Sequence, residues 1–348
     1  MTNAYRWVQW NKHKRVYDAV LLAILLAYIA GFVGIGLTVT SVGDPISPPV
    51  LVMRALGTAA AILLHVILAI GPAARLFPEL APLLYNRRHL GVTCFVVAFL
   101  HAFIAIGFYG GFGVEDPIMA VLAGPGVRPP FEFYGFIALV ILFVMAATSH
   151  DFWLANLGPG VWKTIHMLVY VAYGALVAHI AFGAIASEKH PVYIVLLAVG
   201  ITGLVALHLV AGFRESRTDA AGENPGDWID LGTCADIPEA RARVVCVKGS
   251  ERIAVYRDGD QLHAVSSVCA HQGGPLGEGK IVDGCVTCPW HGYQYDAKDG
   301  RSPPPYTEKI ETYELRVEGG RVLLNPEPNA PGTSTDGASI KSVGAGDA

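Results

Sequence analysis

The chain of 348 residues is short of charge: Asp, Glu, Lys and Arg make up only 16% of it, against 53% apolar residues. Ordinary soluble domains carry about 25% charged residues, so a chain that is soluble throughout is excluded. The mean hydropathy of +0.43 agrees. Basic residues are not in excess, with 25 Lys and Arg against 29 Asp and Glu, and the basic stripe that nucleic acid requires is missing. Six cysteines are too few and too scattered for a disulfide scaffold. No Gly-rich G-x-G-x-x-G turn follows a strand, so the chain has no nicotinamide dinucleotide fingerprint of its own. The start lacks the features of a secretory leader. Tyr5, Arg6, Trp7, Trp10, Lys12, Lys14 and Arg15 form a polar, aromatic arm, and the apolar run behind it has no small-residue cleavage site. The arm is expected to be a retained anchor at the membrane interface.

Long apolar runs are abundant. A helix that crosses a bilayer core needs about 20 apolar residues, and six segments supply them: 17–39, 51–71, 89–110, 131–149, 161–183 and 191–213. Turn and breaker pairs lie between them at Asp44-Pro45, Pro48-Pro49, Gly71-Pro72, Gly124-Pro125, Pro129-Pro130, Gly158-Pro159 and Pro191. The expected plan is an N-terminal arm at 1–16, an all-α six-helix transmembrane bundle at 17–213, a linker at 214–226, an all-β domain at 227–325 and a tail at 326–348. The tail, built from Pro, Gly, Ser, Thr and Asp, reads as disordered. Charge follows the same division. Residues 1–226 hold 13 Lys and Arg against 11 Asp and Glu, and residues 227–348 hold 12 against 18.

Positively charged loops stay on the cytoplasmic side. The arm, the 72–88 loop, the link between the fourth and fifth spans and the segment after 213 hold ten: Arg6, Lys12, Lys14, Arg15, Arg75, Arg87, Arg88, Lys163, Arg214 and Arg217. The opposite side holds three, Arg54, Arg128 and Lys189. The expectation is a multi-pass protein of a bacterial inner membrane, in contact with lipid, with both termini and the β domain in the cytoplasm.

Ionisable residues inside a span are expensive and usually functional. His65 lies on the second span, His101 on the third, and His166 and His179 on the fifth. The last two are thirteen residues apart, roughly 20 Å along a helix, which places two redox centres at different depths. Depth pairs His101 with His179 for an outer haem and His65 with His166 for an inner one. Thirteen residues fall about 140° short of full register on an ideal helix, so the fifth helix must bend or hold its haems on different sides. Arg54, eleven residues before His65 and nearly in register with it, could reach an outer haem propionate. The plainer alternative is that these histidines bond to the backbone or to one another.

The segments Arg87-Arg88-His89-Leu90-Gly91, Phe99-Leu100-His101, Lys163-Thr164-Ile165-His166-Met167-Leu168-Val169-Tyr170 and Ala178-His179 resemble the ferric reductase-like transmembrane domain. Within it they are most similar to the haem-binding membrane partners of periplasmic methionine sulfoxide reductases. The resemblance implies b-type haem, one or two per chain, on His101, His166 and His179, and electron transfer across the membrane. His65 stands outside the family pattern.

The polar region reads as short strands with turn signals at Asp258-Gly259 and Gly319-Gly320, an antiparallel sandwich or barrel. It contains Cys269-Ala270-His271, sixteen intervening residues, then Cys288-Pro289-Trp290-His291. Two thiolates can hold one iron and two imidazoles the other, which raises the potential above that of an all-cysteine cluster. A Cys₂His₂ zinc site is the competing assignment, but zinc fingers spread such ligands over a hairpin and a helix. The spacing resembles ferredoxin-type Rieske domains, which implies a [2Fe-2S] cluster on Cys269, His271, Cys288 and His291. In quinol-oxidising Rieske proteins each ligand loop carries an extra cysteine, and Gly274 and Trp290 stand there instead. Trp290, Pro275 and Leu276 read either as residues shielding the cluster or as a docking face. Tyr293 replaces a serine that bonds the cluster in those proteins. Fewer bonds to sulfur imply a potential in the lower part of the Rieske range, roughly −150 mV rather than +300 mV.

Neither centre, so ligated, keeps an open position for an organic substrate. The expected function is an oxidoreductase subunit with no catalytic side chain, carrying single electrons between a cytoplasmic donor (a reductase, a ferredoxin or quinol) and a periplasmic protein or small-molecule acceptor. Two alternatives are a terminal ferric or oxygen reductase and a haem or iron-sulfur redox sensor or assembly subunit.

Overall fold

The computed structural model describes residues 12–40, 46–80, 82–110, 113, 116, 119, 130–150, 153, 156–157, 159–188, 191–224, 226, 228–271, 273–290, 292–304 and 306–340. The arm residues Tyr5, Arg6, Trp7 and Trp10, the pairs Asp44-Pro45 and Gly124-Pro125, and Arg128, Pro129, Gly158, Lys189 and His291 lie outside the described residues. The chain divides into two compact units, with the boundary between Leu209 and Val210.

Among the described residues, six helices are long and apolar enough to cross a membrane. They are α1 (Lys12–Thr40), α2 (Pro48–Leu76), α3 (Arg87–Tyr109), α4 (Phe131–Thr148), α5 (Gly160–Ile185) and α6 (Pro191–Ala220). α2 forms the middle of the bundle. Leu56, Ala60, Leu63, Leu64 and Ile67 recur at three- and four-residue spacing and are buried, the pattern of an apolar helical face. They share a core with Leu90, Cys94 and Val97 of α3 and Leu142 of α4. Gly71-Pro72 does not end this helix as the sequence led us to expect. Pro72 lies inside α2 and is itself buried, so tertiary packing offsets the lost backbone bond.

α5 is not one regular helix. It consists of Pro159–Met167, a turn at Leu168, Val169–Ile180 and a π-helical turn at Ala181–Ile185. The interruption at Leu168 falls between His166 and His179, whose spacing calls for either a bend or haems on different sides of the helix. The π turn begins two residues after His179, and such turns concentrate at functional sites. α6 also runs further than its apolar stretch, continuing to Ala220 through half of the segment read as a linker. Charged residues with good helix propensity carry it on.

The described residues of the C-terminal unit form eleven short strands: β1 (Ile229–Thr233), β2 (Ala242–Val245), β3 (Ile253–Asp258), β4 (Gln261–Ser266), β5 (Lys280–Val282), β6 (Cys285–Thr287), β7 (Gln294–Asp296), β8 (Thr312–Tyr313), β9 (Leu315–Glu318), β10 (Arg321–Leu324) and β11 (Ala338–Ser339). They form three antiparallel sheets, β1-β10-β9, β11-β4-β3-β2 with β8 beside β4, and the small β5-β6-β7. The β9–β10 hairpin turns on Gly319 and Gly320, both at positive φ (55° and 79°), as a tight hairpin turn demands.

The tail is not disordered over its described length. Asn329, Gly332 and Thr335 donate backbone N–H groups to Thr312, Ile310 and Lys298, and β11 pairs with β4. Backbone pairing, which composition does not encode, orders residues 326–340. Residues 341–348 lie outside the described residues.

Candidate metal centres

The loop after β4 carries Cys269 and His271, and the loop from β6 to β7 carries Cys288. Both loops have one design. The N–H of Cys269 donates to the Gly274 carbonyl (2.8 Å), and the Cys269 carbonyl accepts from Gly273 (2.7 Å). In the second loop Cys288 donates to Tyr293 (2.8 Å) and accepts from Gly292 (2.9 Å). Gly273 and Gly292 sit at φ +69° and +72°, a conformation glycine adopts without steric cost. Each cysteine is thus held at the start of a five-residue hairpin that turns back towards it.

The loops meet at Gly274. A Cβ there would stand 2.7 Å from the Cys288 sulfur and 3.2 Å from the Trp290 ring. Only a bare backbone lets the first loop approach the second cysteine so closely, and Trp290 covers that approach. Cys269, Cys288 and His271 are all buried, in a core formed with Tyr256, Leu276, Val286 and Tyr295. Among the described residues no three His, Cys, Asp or Glu side chains converge as ligands of one metal ion. A two-iron cluster takes its protein donors in pairs, two to each iron, so this donor set with its glycine cradle fits a [2Fe-2S] group.

Two tyrosines went unread in the sequence. The Tyr295 hydroxyl lies 3.3 Å from the Cys269 sulfur and accepts the His271 N–H at 3.1 Å. When Cys269 is a thiolate, the hydroxyl is the only possible donor of that pair. Burial, followed by the neighbouring Cys269, raises the Tyr295 pKa, so the hydroxyl remains a donor. This bond to sulfur works against the low potential inferred from the sequence. The Tyr256 hydroxyl donates to the Leu276 carbonyl and ties down the first loop from β3. Strand alternation was the available signal: Tyr295 is the inward residue of β7.

In the membrane unit His101 and His179 come together, ring centroids 6.1 Å apart and planes 82° apart. His101 Nδ1 donates to the Met53 carbonyl (2.8 Å) and His179 Nδ1 to the Phe131 carbonyl (3.0 Å). A carbonyl only accepts, so each Nδ1 carries the proton and each Nε2 keeps its lone pair, the usual state of a metal-binding histidine. In a helix the carbonyl of residue i points at residue i+4, and both times that residue is glycine, Gly57 and Gly135. A Cβ on Gly57 would stand 2.9 Å from the His101 ring, and one on Gly135 2.7 Å from His179. The same device thus seats both rings, and their imidazoles and cradles fit a haem iron. Arg54 follows Met53 directly and is half-buried.

Among the described residues no ring contact of the His101–His179 kind joins His65 to His166. His65 bonds its own helix through Ala61 (2.9 Å), and its Nε2 meets the Tyr173 hydroxyl at 2.8 Å. His166 bonds the Trp162 carbonyl (3.1 Å), stacks on the Trp162 ring and approaches Ser149 at 3.4 Å. Residues at one depth can face different neighbours around the bundle, and the sequence carries no sign that the Tyr173 hydroxyl meets His65.

Comparison with known proteins agrees with both units. Residues 227–314 match the Rieske [2Fe-2S] domain, and residues 55–177 match the ferric reductase like transmembrane component. The anthranilate 1,2-dioxygenase ferredoxin subunit of Burkholderia cepacia is 38% identical over 104 residues, 28% of this chain and 92% of that protein. The naphthalene 1,2-dioxygenase ferredoxin component of Pseudomonas aeruginosa is 31% identical over 99 residues, 28% of this chain and 94% of its own length. Among solved structures, the oxygenase–ferredoxin complex of carbazole 1,9a-dioxygenase has 29% identity and a TM-score of 0.28, covering 30% of this chain and 96% of the matched one.

A multi-pass membrane bundle joined to a two-iron domain defines a membrane oxidoreductase of the electron-transfer class. The chain belongs to the Rieske [2Fe-2S] family, with its Rieske domain fused to a ferric reductase like transmembrane component.

Proposed function

We propose that this chain moves single electrons across a bacterial inner membrane, from a cytoplasmic donor to a periplasmic acceptor. In this reading Cys269, His271, Cys288 and His291 hold the [2Fe-2S] cluster, and His101 and His179 hold a haem b. When bound, each group supplies one reversible one-electron centre. The chain's own residues do the rest. Thiolates and imidazoles fill the ligand positions, Gly57 and Gly135 make room for the outer imidazoles, and Met53 and Phe131 fix which nitrogen is free. Trp290 and the buried tyrosines would keep water from the cluster, and Arg54, next to Met53 in the chain, would meet a propionate.

The observation that carries this reading is the matched seating of His101 and His179 by carbonyl and glycine. Ten positive residues on one side against three on the other support cytoplasmic termini. The acidic residues 227–348, with 18 Asp and Glu to 12 Lys and Arg, suit the basic face of a cytoplasmic reductase or ferredoxin. The resemblance to ferredoxin components of dioxygenase systems points to the same kind of donor. The test is spectroscopic. His101→Ala and His179→Ala should each abolish the outer haem absorption while the cluster's EPR signal persists. Retention of full haem content in both would contradict the assignment.

A further inference from the structure

Tyr293 is only 2% exposed, and its ring lies parallel to the His271 imidazole, with centroids 4.3 Å and planes 8° apart. Tyr306 packs edge-on against the Tyr293 ring, centroids 4.9 Å and planes 66° apart. The Tyr293 hydroxyl donates to the Glu308 carboxylate, whose same oxygen accepts the Thr307 N–H at 3.1 Å. A hydroxyl has one proton, so a tyrosine bonded to Glu308 has none to give to a cluster sulfur. The side chain standing in the serine's place therefore has a different task.

We infer that Tyr293 is a positioning residue that clamps His271 and, through its bond to Glu308, holds a negative charge where it lowers the reduction potential of the cluster. The inference rests on reading His271 as a cluster ligand. Reduction adds one negative charge to the cluster, and a carboxylate fixed nearby disfavours that added charge. A carboxylate free in solvent would be screened, whereas this one is half-buried and bonded to a ring stacked on the ligand. Tyr295 and Tyr293 then act in opposition. The Tyr295 hydroxyl stabilises electron density on the Cys269 sulfur, and the Tyr293–Glu308 pair opposes reduction from the histidine side.

Voltammetry and EPR on the full chain test this. Glu308→Gln keeps an oxygen to accept the Tyr293 hydroxyl but removes the charge, so a purely structural clamp would leave the potential unmoved. The expected result is a rise of about tenfold in the reduced-to-oxidised ratio at fixed electrode potential, or 59 mV for one electron. Tyr293→Phe keeps the stacked ring and frees Glu308, and should shift the potential in the same direction with the EPR signal per chain preserved. A potential unmoved in both variants overturns the inference while leaving the ligand assignment intact. An unaltered chain without any cluster signal overturns the ligand assignment and this inference with it.

Discussion

Tyr295, Gly57 and Gly135 have the most directly testable side-chain environments. Tyr295→Phe removes the hydroxyl 3.3 Å from the Cys269 sulfur, and should lower the cluster potential by about 59 mV, a tenfold shift in the redox ratio. Voltammetry showing no change, or a rise, would contradict that role. Gly57→Ala and Gly135→Ala put a methyl group within 3 Å of the His101 and His179 rings, and should cut haem content severely. Gly174→Ala on α5 meets nothing within 4 Å and serves as the control that keeps its haem. His65→Phe should retain haem too, because the His65 nitrogens are engaged by Ala61 and Tyr173. The sequence disclosed the histidines and cysteines because metal-binding side chains are chemically conspicuous. It hid what seats them. Met53 and Phe131 act through backbone carbonyls that any residue could supply, and only the glycines four positions on leave a trace.

At the scale of elements, the bundle was legible because about 20 apolar residues in a row have few other uses in a chain so poor in charge. Helix ends were less legible. Pro72 and residues 214–220 read as breaks by local chemistry, yet α2 and α6 continue through them, as packing and propensity together outweigh a local signal. The tail misled for the opposite reason, since its composition is that of disorder while its order comes from backbone pairing with β4. Gly337 sits at φ +67°, where a Cβ would stand 2.7 Å from the Leu262 carbonyl. Gly337→Ala should therefore destabilise the β domain by roughly 1–3 kcal/mol. Thermal unfolding of the full chain, followed by loss of the cluster's visible absorption, measures this. An unshifted midpoint would mean that β11 contributes little to the domain.

For the whole molecule, two units of opposite character share one chain. A charge-poor bundle brings the His101 and His179 imidazoles together, and an acidic β domain buries Cys269, His271 and Cys288. A C-terminal fusion to a fluorescent protein that folds only in the cytoplasm should be bright, and the corresponding alkaline phosphatase fusion inactive; the reverse pattern would overturn the orientation. The central claim is that one chain holds two kinds of one-electron centre, and EPR combined with a reduced-minus-oxidised optical spectrum of the purified protein, with iron and zinc analysis, tests it most directly. The account expects one [2Fe-2S] signal of Rieske type, at least one haem b with two histidine ligands, and no stoichiometric zinc. Zinc in place of the cluster, or a cluster without any haem absorption, would contradict it.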